Sequence, residues 1–134
     1  MNPMSAKMLS NSPIQNEYVR RTPASLALAE RAGAYFPSAI THDSRHTLPY
    51  GIYVERALGP RKWDADGNEY VDYFGGHGAL MLGHRNPEVE ACIQEALAAG
   101  THFGSSHAFE VAWAASVRDL MPSAERIRFT ASGT

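Results

Sequence analysis

The sequence closes on Arg126-Ile127-Arg128-Phe129-Thr130-Ala131-Ser132-Gly133-Thr134, and its last three residues could do chemistry. Hydroxyls flank a glycine that, lacking a Cβ, lets a ligand come close to the backbone. Backbone N–H groups and the Ser132 and Thr134 hydroxyls can converge there on a phosphate, above all where a helix starts just beyond. The sequence stops at Thr134, where such a helix would begin. The same tripeptide also serves ordinary turns, so the phosphate reading needs support from elsewhere.

Two further residues stand out. Arg45 lies in Thr41-His42-Asp43-Ser44-Arg45-His46, a polar stretch without periodicity. An arginine among small polar residues either clamps a carboxylate bidentately or is simply solvated. His77 lies in Gly75-Gly76-His77-Gly78-Ala79. Glycines around one histidine suit a loop where backbone or ligand passes closely, or a turn with an incidental histidine. Other chemistries find little footing. His42 and His46 have a four-residue spacing but sit in a segment read as loop, and the acids Asp64, Asp66 and Asp72 do not match a calcium loop. Turn and strand-edge roles account for these acids better. Lys62 follows a turn and is expected to be solvated.

The elements that must position these residues are legible in outline. Residues 1–20 read as a mobile arm, rich in Ser, Asn and Pro near the start. Thr22-Pro23 reads as a helix start, with Leu26, Ala29, Gly33 and Phe36 near one face and Pro37 as the stop. From Gly51 to Tyr73 the pattern turns to β, and Ala65-Asp66-Gly67-Asn68 is hairpin chemistry, so an antiparallel meander is predicted. Asn86-Pro87 caps and opens a helix with Val89, Ile93, Ala96 and Leu97 at helical spacing, ended by Gly100. A second helix is predicted from about Ala108 to Met121, with Phe109, Ala112, Trp113, Val117, Leu120 and Met121 facing inward. Ile127 and Phe129, alternating with Arg126, Arg128 and Thr130, read as a short strand. Helix, loop, helix and strand in that order open an α/β layer.

Composition sets the class. At 134 residues with 44% hydrophobic and 19% charged side chains, the chain has the profile of a soluble globular domain. A net charge of −2 gives no electrostatic case for nucleic acid. The single cysteine, Cys92, excludes an internal disulfide and fits a reducing compartment. No apolar run reaches membrane-spanning length and the first residues lack the centre of a signal peptide, so a cytoplasmic location is expected.

Taken together, the order of motifs resembles the class III aminotransferases, pyridoxal-phosphate enzymes that include glutamate-1-semialdehyde aminomutase. The residues that carry the resemblance are Trp63-Asp64-Ala65-Asp66-Gly67-Asn68-Glu69-Tyr70-Val71-Asp72, Leu82-Gly83-His84-Arg85-Asn86-Pro87, Gly100-Thr101-His102-Phe103-Gly104 and Arg128-Phe129-Thr130-Ala131-Ser132-Gly133-Thr134. It runs from about Pro37 to the last residue and is similar above all to the aminomutase branch.

The resemblance implies an α/β fold, the N-terminal part of a fold-type I pyridoxal-phosphate transferase. Residues 21–84 would form an N-terminal helix, loop and meander, and residues 85–134 the start of the large cofactor domain. Ser132, Gly133 and Thr134 fall on the family's phosphate-cradling turn, where Ala131 replaces the usual Asn or Ser. Arg45 falls on an arginine near the substrate carboxylate, and His77 takes the place of an aromatic residue, commonly tryptophan, beside the substrate. The implied reaction moves an amino group between an amino acid or amino-aldehyde and a keto or aldehyde acceptor, as an aminotransferase or as an aminomutase. Family members are homodimers, with Thr101–Ser106 expected to serve the neighbouring subunit. The family's Schiff-base lysine lies beyond the phosphate turn, and Lys7 and Lys62 are at other places, so no catalytic residue is assigned and the chain alone is expected to be inactive. The alternative is a non-catalytic truncated product that serves at most as a subunit-interaction module.

Overall fold

A computed structural model describes residues 12–131. They fall into two compact units that divide between Glu90 and Ala91.

The first unit opens with two short helices, α1 (Pro13–Arg21) and α2 (Pro23–Ala32). Part of the stretch expected as a mobile arm is therefore helical. The reason is Tyr18, whose hydroxyl donates to the Tyr50 carbonyl at 2.7 Å and whose ring packs on that of Tyr50 at 5.1 Å. Pro13 at the start and Arg20 and Arg21 in the last turn also suit a helix. Helix α2 starts at Pro23 as expected but ends at Ala32, well before Pro37, which instead opens a short 3-10 turn (Pro37–Ala39).

Thr22 does not cap α2 with its side chain. It is buried, and its hydroxyl donates to the Tyr18 carbonyl at 2.7 Å. The cap comes from a distant residue: the Asp66 carboxylate accepts from the amides of Ala24 at 2.6 Å and Ser25 at 3.0 Å. These are among the N–H groups that a helix leaves without an internal partner.

The predicted meander is present as β1 (Val54–Leu58), β2 (Arg61–Asp64) and β3 (Glu69–Val71), antiparallel in the order β1-β2-β3. Val54 pairs with Asp64 and Leu58 with Arg61, with a bulge between Val54 and Arg56; Arg61 pairs with Val71 and Trp63 with Glu69. Beside the ladder, the Arg56 guanidinium lies 3.7 Å from the centre of the Trp63 ring. The β2–β3 turn uses Gly67 at φ +81, the left-handed position that such a loop assigns to glycine. The Asp64 side chain closes the turn by accepting from the amides of Asp66 and Asn68. Asn68 then ties the turn to α1 by donating to the Arg21 carbonyl at 2.9 Å.

Helix α3 (Pro87–Ala99) follows, and α4 (Ala108–Leu120) lies in the second unit. Asn86 caps α3, accepting from the amides of Glu88 and Val89. His107 caps α4 in a reciprocal pair with Glu110. The apolar face expected to point inward from α4 is largely exposed: Phe109, Trp113 and Leu120 keep 64%, 57% and 89% of their surface. The strand expected over Arg126–Thr130 does not form. A strand exists through a partner's hydrogen bonds, and no strand pairs with this segment among the described residues. Phe129 instead stacks on Trp113 with ring centres 3.6 Å apart.

Replacing Asp66 by Ala removes the acceptor at the start of α2 and should cost about 1–2 kcal/mol. Asp66→Asn has one acceptor oxygen where the carboxylate has two, so it keeps one of the two amide bonds and should lose less than Asp66→Ala, about 0.5–1 kcal/mol. Urea denaturation followed at the tyrosines checks both. Equal losses for the two variants would mean that the turn, and not the cap, is what the substitutions disturb.

Candidate functional site

Arg45 ends a single 3-10 turn, Asp43–Arg45. The turn is held by His42, whose Nδ1 accepts from the Ser44 amide at 3.2 Å. The Arg45 side chain is exposed and donates to the Thr41 hydroxyl at 3.1 Å, with no carboxylate partner among the described residues. Its charge is therefore not neutralised by the fold.

His77 is exposed, with φ +61. Its ring lies 4.4 Å from that of Phe74 and, edge to face, 6.1 Å from that of His42. The His42 contact joins the Arg45 turn to the glycine loop. The two substrate residues expected from the sequence thus sit on neighbouring segments of one unit, although no direct contact links them. The phosphate turn expected at Ser132, Gly133 and Thr134 lies outside the described residues.

At the root of the glycine loop a buried carboxylate gathers polar partners, a cluster not expected as a unit from the sequence. The Asp72 side chain is 5% exposed; it accepts from Lys62 Nζ at 3.0 Å and His84 Nε2 at 2.7 Å. It also accepts from the amides of Phe74 at 3.1 Å and Gly75 at 3.3 Å. Lys62, expected to be solvated, is committed to this carboxylate. The bond from His84, then that from Lys62, hold the Asp72 carboxyl well below the usual range, against the burial that would raise it. The signal that could have found the cluster is the strand register, since β2 and β3 set Lys62 beside Tyr70, close to Asp72.

His84 is fixed in turn by its backbone, which exchanges hydrogen bonds with Gly59 at 2.8 and 2.9 Å. Gly83 allows this approach. A Cβ there would lie 3.0 Å from the Gly59 carbonyl oxygen, and its φ of +78 is itself a glycine conformation. Asp64 is the second buried carboxylate. Burial pushes it up, but donors from Asn68, Tyr70 and backbone amides outweigh this and hold it below the ordinary value. Tyr70, pushed up to about 12 by burial and by its bond to Asp64, stays a hydrogen-bond donor.

In the second unit, Ile93, Leu97, Phe103, His107 and Phe109 line an open groove with the Thr101–Ser106 loop. Arg45 and His77 take no part in it.

Residues 41–134 match the family model described as "Aminotransferase class-III". The chain belongs to that family. Among its relatives is a glutamate-1-semialdehyde 2,1-aminomutase of Methanothrix thermoacetophila, 41% identical over 111 residues, which cover 83% of this chain and 26% of that protein. Among solved structures, a β-phenylalanine aminotransferase from Variovorax paradoxus superposes with a TM-score of 0.84 at 29% identity, over 88% of this chain and 27% of the other. A transaminase with PLP bound gives 0.80 at 34% identity, over 84% and 26%. The α/β fold class expected from the sequence, part of a pyridoxal-phosphate transferase, is borne out by these matches. The chain spans about a quarter of the length of the curated relatives it matches.

Asp72 gives a test in pH. Its folded pKa is lowered, so its contribution is fully present above the ordinary carboxylate value near 4. That contribution is lost as pH falls through the folded value. The stability difference between the protein and Asp72→Asn should therefore be wide above about pH 5 and close progressively below about pH 4. Urea titrations at each pH measure it. A difference that persists unchanged into strong acid would assign the effect to packing and not to charge.

Proposed function

We propose that this chain is the N-terminal part of a pyridoxal-phosphate-dependent aminotransferase or aminomutase and supplies the substrate-facing wall of its site. The enzyme transfers an amino group between an amino acid or amino-aldehyde and a keto or aldehyde acceptor. Arg45 holds the substrate carboxylate, His77 lines the pocket, and Ser132, Gly133 and Thr134 hold the cofactor phosphate. The observation that carries the reading is Arg45: an exposed guanidinium with only a neutral hydroxyl as partner among the described residues, on a segment joined to the His77 loop through His42. A homodimer, a cytoplasmic setting and the division at residues 20 and 84 belong to the same proposal. The exposed apolar face of α4 supports a covering by further protein, and the lone cysteine supports a reducing compartment.

Pyridoxal phosphate, when bound, supplies the electron sink for bond breaking next to the amino group. The described residues do not complete a site for that chemistry. Their lysine, Lys62, is ion-paired to Asp72 and so remains a poor nucleophile. No catalytic step is therefore assigned to them. What they do is bind and orient: a planar guanidinium meets a carboxylate through paired hydrogen bonds and fixes which end of the substrate points inward. His77 adds an imidazole donor or acceptor to the pocket wall.

Two measurements follow. Reduction of the chain with borohydride in the presence of pyridoxal phosphate should leave Lys62 without stoichiometric labelling; specific labelling of Lys62 that resists competition by free lysine would overturn that assignment. In the longer enzyme, Arg45→Ala should lower kcat/KM for an amino acid about ten- to hundred-fold, the worth of a charge-assisted contact of roughly 1.5–3 kcal/mol. The matching amine without the carboxylate should be spared. Arg45→Lys should recover part of the loss, since an ammonium lacks the planar fork. Equal losses on both substrates would give Arg45 a structural role instead.

A further inference from the structure

The loop after β3 has a conformation that needs an outside constraint. Gly75, Gly76, His77 and Gly78 have φ of +50, +59, +61 and +83 in succession. Glycines resist such angles little but also hold them little, and histidine adopts them only at a cost. Among the described residues no ladder pairs with the loop. Three internal bonds close it, from the Gly78 amide to the Phe74 carbonyl at 3.0 Å, from the Ala79 amide to the Gly76 carbonyl at 3.4 Å and from the Leu80 amide to the Gly75 carbonyl at 2.9 Å.

The tie to the rest of the fold runs through Asp72. One carboxylate oxygen, Oδ1, accepts from the amides of Phe74 and Gly75, so it fixes the direction in which the loop leaves β3. The same oxygen accepts from Lys62 on β2, and Oδ2 accepts from His84. His84 is anchored at Gly59, next to the end of β1. The carboxylate is therefore held from two sides, and a carboxylate suits the place because it accepts at both oxygens and donates at neither. Phe74 transmits the constraint, since its ring lies 4.4 Å from that of His77.

We infer that Asp72, clamped between Lys62 and His84, is a positioning residue that sets the left-handed glycine loop and thereby presents His77 to the substrate. The role of His77 rests on the function proposed above; the positioning itself does not.

The test uses the full chain without substrate. Histidine labelled with carbon-13 gives the His77 ring signals, assigned by their loss in His77→Gln. In the unaltered protein these signals should be displaced from those of free histidine by the Phe74 ring. Asp72→Ala removes the oxygen that holds both loop amides. It should move the His77 signals to free-histidine values and speed exchange of the Gly75 amide about tenfold or more, with the amides of β2 still protected. Unmoved His77 signals with the sheet intact would overturn the inference. Should Asp72→Ala lose the sheet as well, Asp72→Ala combined with Lys62→Met decides, because it removes the tie to the loop without leaving the lysine's charge unpaired. A shift of His77 in that variant supports the inference, and an unchanged His77 overturns it. Since no substrate is present, this outcome is separate from the Arg45 measurements: either can fail while the other stands.

Discussion

The Asp66 carboxylate sits on the Ala24 and Ser25 amides at the start of α2, joining residues 42 and 41 positions apart. Pro23 brings no N–H to that helix end, and Thr22 spends its hydroxyl on the turn before it. The remaining donors must be met from outside, and the β2–β3 turn is what meets them. Asn68 adds a second tie, bonding the Arg21 carbonyl, while Asp64 holds both turn residues from behind. Because the turn is fixed to the helix pair, the place of β3 is fixed too. Asp72 then takes its position just past the end of that strand, and the glycine loop departs from there.

The first unit is held more by polar satisfaction than by apolar volume. Among its described residues the fully buried side chains are Thr22, Ser25 and Asp64, beside the small buried apolar residues Ala29 and Ala39 and the ring of Tyr50. Ser25 accepts from the Tyr53 amide, and the Thr22 and Tyr50 hydroxyls meet at 2.9 Å. Such a core has a low tolerance for loss of one member, since a buried polar group left alone costs more than the bond contributed. It also specifies geometry sharply. Few alternative packings would satisfy every donor, whereas an apolar cluster of similar size accepts several arrangements.

Local chemistry was the readable part of the sequence. Asp66-Gly67-Asn68 names its own turn, and Asn86-Pro87 names its own helix start, because each is decided within a few residues. What the sequence hid is decided at long range. Helix α1 depends on a tyrosine pair 32 positions apart. The pairing of Lys62 with Asp72 depends on strand register, and the meeting of His42 with His77 depends on how two loops fold back. The Arg126–Thr130 alternation illustrates the converse error: period two marks a segment fit for a sheet, but the sheet has to be there. The inward face assigned to α4 fails for the same reason, since an apolar stripe shows what a helix would bury and not whether the cover is present.

The two candidate substrate residues are held in opposite ways, and this bears on what each can do. Among the described residues Arg45 has one neutral partner, Thr41, and no fixed acid compensates its charge. An incoming carboxylate would not have to displace an existing ion pair, and the guanidinium keeps freedom to align its fork. His77 belongs to a loop tied at its root to a buried carboxylate and packed on Phe74 and His42. If His77 lines the substrate pocket as proposed, a loop tied in this way would discriminate by shape and hydrogen bonding, because a ligand that does not fit leaves polar groups unmatched. On the proposed reading, the exposed cation and the loop-borne imidazole would divide recognition: one would capture the substrate carboxylate, and the other would sort what is attached to it.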